Sequence, residues 1–464
     1  MKFCRAKPAP NHSPNGSVAS KTGLTPFLLA LWASTLLLTS CGHRAGEFPG
    51  PTDESEGLRI TSFEPAEGAP YSVAISPDGN QVAMMHRVYL NGLELSADSI
   101  EIHDVPSNAT VKTLSLPRVD WTHAARQFSL SRDLNYCDRG KYLLAFTGPD
   151  ILEIVDSQTF QIRHSLVFSQ LSTHFSGAGK ARRFDDINFL TDVSIACAAS
   201  EGRAVLAFYG DNVASFKLID LDRGQEIEDL GDDFHGRARG RGLAISPDGS
   251  KVARVSWIHG NDNGTQAEIV DVRTGSALRK TLELGGAMEP EYDLVFAGED
   301  ALVVAEAECQ PGPDCETHSI PHARDLRVWF FAGDGGVRTL GWPGQETYRS
   351  FGASADGNRL FAYSGTEKRC ASCNAGAGEL KIDNARFTVW DRASGRVLVR
   401  SPTLKVETYT CGFHLGSCEN YQQAPELQMS GDGKSLLAFW FRPLDKTPDS
   451  APGSGGLEVF RLRN

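Results

Sequence analysis

Beyond residue 40 no stretch of the chain carries a helical hydrophobic period of useful length, which excludes helical bundles, helical solenoids and alternating βα architectures. Basic residues are in deficit: 46 Lys and Arg face 58 Asp and Glu, a formal charge of −12, which argues against nucleic acid as a partner. No GxSxG elbow, HExxH pair or Walker loop occurs, so the sequence offers no ready serine nucleophile, metalloprotease helix or phosphate cradle. Long apolar runs are missing as well. The one at residues 24–38 is shorter than the roughly 20 residues that a membrane-spanning helix needs.

The chain has repetition instead. Residues 73–82 (VAISPDGNQV) are echoed at 243–252 (LAISPDGSKV), at 351–360 (FGASADGNRL) and at 427–436 (LQMSGDGKSL), the last keeping Asp-Gly without the proline. In each copy an alternating apolar run meets a tight turn and a second apolar run follows, the pattern of a β-hairpin. A third strand comes next, ending mostly in Asp: residues 100–104 (IEIHD), 151–156 (ILEIVD), 216–220 (FKLID), 267–271 (AEIVD), 326–330 (LRVWF), 387–391 (FTVWD) and 457–461 (LEVFR). Polar turns such as Arg273-Thr274-Gly275 lead into fourth strands such as 109–114 (ATVKTL) and 396–400 (RVLVR). Four antiparallel strands recurring at this spacing predict an all-β chain folded as a β-propeller.

These units resemble the WD40-like, YVTN and TolB-type propeller repeats over nearly all of residues 58–464. The resemblance implies a fold and leaves the function open. Seven four-stranded blades are expected, with six and eight open, because units two, three and five lack the SPDG turn. Their first strands are placed by spacing near residues 127–130, 193–198 and 292–296. The last unit supplies three strands, from Leu427, Leu436 and Leu457, while residues 58–63 (LRITSF) stand spare before the first hairpin. Pairing the N-terminal strand with the last blade would close the ring and cover its edge.

Residues 1–40 hold Lys2, Arg5, Lys7 and Lys21 and no acid, then the apolar run, and read as a signal peptide. Leu38-Thr39-Ser40-Cys41-Gly42 resembles the lipobox of bacterial lipoproteins, which implies that Cys41 is acylated and becomes the mature N-terminus. The alternative is an ordinary secretory leader with a chance cysteine. Gly42, where an Asp would retain the protein, resembles the pattern sent to the outer membrane of a two-membrane envelope. Residues 41–57 then form a flexible tether rich in Pro, Gly and acid, and residues 58–464 the propeller domain. Losing the four leader cations takes the formal charge from −12 to −16.

Eight cysteines remain once Cys4 and Cys41 are set aside, an even number in a chain read as leaving the cytoplasm. Spacing pairs Cys309 with Cys315, Cys370 with Cys373 and Cys411 with Cys418, and leaves Cys137 and Cys197 in neighbouring units. The competing reading is zinc, at Cys309, Cys315, His318 and His322 or at the four thiols of the other two pairs. An oxidising compartment favours bridges, so no metal and no cofactor is expected.

Nearly all inserted chain falls between second and third strands or between blades, connections that share one face of a propeller and on which binding usually resides. Three interblade segments there carry Arg118, Trp121 and His123, then Lys180, Arg182 and Arg183, then Arg237, Arg239 and Arg241. Together with His318 and His322 they are the ligand-binding candidates, a basic sector suited to a carboxylate, phosphate or sulfate. The plainer account pairs these cations with Asp185, Asp186, Asp232 and Asp233 in solvated loops. Asp104, Asp156, Asp220, Asp271 and Asp391 recur at one blade position and read as turn formers. Trp329, Trp390 and Phe460 read as packing between blades. The expected protein is a monomeric, lipid-anchored module that binds an envelope protein or a small anionic ligand on its loop-rich face. The rival is a hydrolase, lyase or quinoprotein-like enzyme with its active site at the channel mouth.

Overall fold

The computed structural model describes residues 59–63, 70, 72–90, 94–117, 129–130, 134–148, 151–168, 171, 190–210, 214–233, 242–257, 265–274, 276–285, 291–307, 323–331, 336–340, 347–369, 380–404, 407–409, 421–423, 425–440 and 456–462. All of them lie in the compact unit spanning residues 47–464.

The described strands form seven four-stranded antiparallel blades. Blade 1 is Ser72–Ile75, Gln81–Leu90, Glu94–Asp104 and Ala109–Ser115. Blade 2 is Leu134–Cys137, Tyr142–Gly148, Ile151–Asp156 and Gln161–Val167. Blade 3 is Leu190–Cys197, Arg203–Gly210, Ala214–Asp220 and Gln225–Asp233. Blade 4 is Leu243–Ile245, Lys251–Trp257, Thr265–Asp271 and Ser276–Gly285. Blade 5 is Glu291–Phe296, Ala301–Ala307, Ala323–Phe330 and Val337–Leu340. Blade 6 is Thr347–Ala353, Arg359–Arg369, Leu380–Asp391 and Val397–Arg400. Blade 7 takes Glu426–Met429, Ser435–Phe439 and Leu457–Arg461 from the end of the chain and Arg59–Phe63 from near its start.

The spare N-terminal strand therefore closes the ring. It runs antiparallel to the last strand in an unbroken register from Arg59 opposite Arg461 to Phe63 opposite Leu457. The seven third strands read from the sequence all occupy third positions. One expectation is corrected. The first strand of blade 2 is Leu134–Cys137, not residues 127–130; Ser129–Leu130 instead pairs in parallel with Asp192 and Val193 of blade 3. A short hairpin, Glu407–Tyr409 with Tyr421–Gln423, stands between blades 6 and 7.

The core is divided among the seams between blades, for a reason that lies in the period of a strand. Alternate side chains face opposite sides of a blade, so one strand feeds two seams. Leu302 and Val304 pack against blade 4, whereas Val303 and Ala305 pack against blade 6. Seven buried clusters result among the described residues, one per seam. Trp329, Trp390 and Phe460 are buried in three of them. The third-strand aspartates take amides from three residues onward: Ser107 to Asp104, Thr159 to Asp156, Arg223 to Asp220, Thr274 to Asp271 and Ser394 to Asp391, at 2.7 to 3.2 Å.

Candidate functional site

The turns between first and second strands repeat one hydrogen-bonded clasp. Ser76 Oγ donates to Asp78 Oδ1 at 2.6 Å, and the bond recurs as Ser246 to Asp248 at 2.7 Å, Ser354 to Asp356 at 2.5 Å and Ser430 to Asp432 at 2.7 Å. Each Asp Oδ1 also accepts the amide two residues on, from Asn80, Ser250, Asn358 and Lys434. Each serine oxygen accepts the amide five residues on, from Gln81, Lys251, Arg359 and Ser435. Glycine follows the Asp because φ there is +66° to +69°, the left-handed region that a side chain disfavours. Burial pushes the carboxyls of Asp78, Asp248 and Asp356 up, yet the combined hydrogen bonds outweigh it and hold all three below their ordinary value.

Among the described residues, hydrogen bonds at this end join neighbouring blades at six of the seven seams. The Asp432 amide donates to the Pro77 carbonyl at 2.9 Å, Ala355 to Gly431 at 3.2 Å, and Ser200 to Pro247 at 2.9 Å. Asp138 and Arg139 donate to Ala198 and Ala199 at 3.1 and 2.6 Å. Between blades 4 and 5 the Asp248 amide donates to Glu299 Oε1 at 2.9 Å. Arg392 of blade 6 reaches the Ala297 carbonyl of blade 5 at 2.9 Å and also bonds Asp300.

Inside this belt lies a cavity of about 470 Å³ walled by the first strands of all seven blades. Ile75, Tyr136, Ile195, Ile245, Phe296, Phe351 and Met429 supply one wall residue from each, and Pro77, Arg139, Pro247 and Asp432 stand at the turn end. Arg139 and Asp432 are the charged residues of the lining. Ser194 is 4% exposed, and its hydroxyl has no hydrogen-bond partner among the described residues. Burial, then the nearby Asp78 carboxylate, pushes the Tyr136 hydroxyl far above its ordinary value, so it stays neutral. Cys137 and Cys197 also line the cavity and are joined in a disulfide. Polar groups and apolar side chains share the exposed wall about equally; among the described residues no three His, Cys, Asp or Glu converge as a metal site would require.

Of the residues singled out from the sequence, Cys137 and Cys197 are the pair the structure brings together. Cys41, Cys309, Cys315, Cys370, Cys373, Cys411, Cys418, Arg118, Trp121, His123, Lys180, Arg182, Arg183, Arg237, Arg239, Arg241, His318 and His322 lie outside the described residues. Sequence reasoning passed over the turn end because its short connections offer little chain to bind with. The cavity there is made of strand residues, and the signal available was the ring of first strands itself.

No family model matches the chain, and no curated protein matches it in sequence. Among solved structures it is similar to U3-55K, at 11% identity and a TM-score of 0.47 over 88% of this chain and 99% of that one. It is likewise similar to the WD40 repeats of RRP9, at 12% identity and a TM-score of 0.48 over 90% of this chain and 100% of that one.

Proposed function

We propose that the protein is a lipid-anchored β-propeller of the cell envelope, held at the outer membrane where there are two, that binds an envelope protein or a small anionic ligand on its loop-rich face. The observation that supports binding is an asymmetry in chain length between the two ends of the ring. First and second strands are joined by four or five residues in every blade, and in four blades the turn carries the clasp. At the opposite strand ends, residues 308–322, 370–379 and 440–456 connect second to third strands in blades 5, 6 and 7. A rigid ring that carries its long connections at one end has the form of a binding scaffold. The anchor reading rests on Cys41 and the apolar run before it.

Two measurements test the halves separately. Cys41→Ala should move the protein from the detergent phase to the aqueous phase or leave its leader uncut, and unchanged partitioning overturns the anchor. Photo-crosslinkers placed at His318 and Arg239 should capture a discrete envelope partner or be blocked by an anionic ligand, whereas crosslinkers at Asn80 and Lys434 on the clasped turns should not. Equal capture from both ends overturns the choice of face.

A further inference from the structure

The Cys137–Cys197 disulfide is placed where chemistry can reach it. Both cysteines line the central cavity, and they belong to the first strands of adjacent blades. Cys137 is 1% exposed while Cys197 is half-buried, so Cys197 is the more accessible partner for a reagent in the cavity. Arg139, exposed at the rim two residues after Cys137, puts a fixed positive charge beside that approach. The cavity's volume of about 470 Å³ is within the range of small-molecule sites. It is far too small for the active-site surface of a protein oxidoreductase, and hydrogen bonds join the surrounding blades at six of their seven seams.

We propose that this disulfide is a modification site for low-molecular-weight anionic thiols, which reach it through the channel while protein reductants are kept out. The thiolate of the small molecule attacks Cys197 Sγ and forms a new S–S bond. The Cys137–Cys197 bond breaks, and Cys137 leaves with the electron pair and takes up the proton that the small thiol gave up. The product is a mixed disulfide on Cys197 and a free thiol on Cys137. Attack by Cys137 on the mixed disulfide expels the small thiol and restores the bridge, so the exchange consumes no oxidant or reductant. Thiolate attack of this kind depends on access and on the charge around the sulfur. Backbone bonds from Asp138 to Ala198 and from Arg139 to Ala199 join the blade 2–3 seam independently of the bridge, which would hold the ring closed while the adduct forms.

The test uses the full chain, purified without reductant and incubated with reduced glutathione, then acid-quenched and peptide-mapped. Glutathione should appear on Cys197 with Cys137 free, and thioredoxin with its reductase should open the bridge several-fold more slowly in the folded protein than after unfolding in urea. Ala353→Phe narrows the cavity from blade 6, on a different part of the ring, and should slow glutathionylation several-fold. Arg139→Glu should slow glutathione more than neutral β-mercaptoethanol. In Cys137→Ser the freed Cys197 should react with N-ethylmaleimide but not with a polyethylene-glycol maleimide. An adduct on Cys137, no adduct on the folded chain, equal rates for thioredoxin before and after unfolding, or no effect of Ala353→Phe in a variant with the wild-type circular dichroism spectrum would overturn the proposal.

Discussion

The amide of Asp432 donates to the carbonyl of Pro77 at 2.9 Å, joining the last clasped turn of the chain to the first. On the outer side of the same blade, Arg59–Phe63 completes the sheet against Leu457–Arg461. Blade 7 is therefore held to the start of the chain twice, once at the channel rim and once at its outer edge.

Removing the outer tie should cost several kcal/mol, since each ladder hydrogen bond contributes net about 1 kcal/mol and the exposed edge invites aggregation. A chain starting at Ala66 should melt well below one starting at Gly57, and Thr61→Pro should lower the melting temperature in the longer chain. Equal thermal melts would remove the strand from the sheet.

Gly357 and Gly298 separate two effects of a side chain at positive φ. Both sit in the left-handed region, but a Cβ on Gly357 would lie 1.9 Å from the Gly298 nitrogen, whereas the nearest atom to a Cβ on Gly298 is 3.5 Å away. Gly298→Ala should cost about 1–2 kcal/mol from conformation alone. Gly357→Ala should cost clearly more, because backbone must move across the blade 5–6 seam. Urea denaturation of the two variants measures the difference.

The clasps predict an acid limb in stability. Asp78, Asp248 and Asp356 have folded-state values below their unfolded ones, so their contribution is complete above the ordinary carboxylate range, about pH 4, and is lost as pH falls through the folded values. Glu299 is shifted upward by burial and then by side-chain hydrogen bonding with the Asp248 carboxylate, against the lowering effect of the Asp248 amide; it opposes this trend, weakening as pH rises through its folded value. Asp248→Asn should lower stability by about 1–2 kcal/mol at neutral pH. The gap to wild type should narrow below about pH 4, as measured by denaturant midpoints across pH; a gap that is constant with pH would show that the carboxylate's charge is not what the clasp uses.

The bridge between blades 2 and 3 closes a chain separation of 60 residues. Removing it in Cys137→Ser/Cys197→Ser should destabilise the protein by about 2–4 kcal/mol, with the denaturant midpoint lowered. An unchanged midpoint would mean that the belt alone holds the seam.

Much of this architecture was legible because the turn chemistry is local. A serine, an aspartate and a glycine in fixed order are enough to close one clasp, so four blades announced themselves, and the third strands carried their own Asp turn. The first strand of blade 2 lies at Leu134–Cys137 rather than near residues 127–130 for the same reason. Cys137 stands five residues before Tyr142, its strand partner, as Ser76 stands five before Gln81, and Gly140 matches Gly79 in its positive φ. With Cys-Asp-Arg-Gly in place of Ser-Pro-Asp-Gly, and with Asn135 and Tyr136 only half-buried, neither motif nor alternation marked the strand. The cavity was hidden more deeply, since its walls come from residues as far apart as Ile75 and Met429, and no local pattern encodes their convergence.

The pairing of Arg59–Phe63 with Leu457–Arg461 also orders events in time. Successive blades are built from contiguous chain and can form as synthesis proceeds, but the first of these strands has its partner at the far end of the domain. Closing that loop across nearly the whole domain carries a large entropy cost before any contact rewards it. The ring's final seam, where Val73 and Val82 meet Leu437 and Val459, must therefore form late. Until it does, blade 1 presents one bare apolar face and blade 7 an unpaired edge, which makes the nascent open ring, more than the finished one, the species that needs a chaperone.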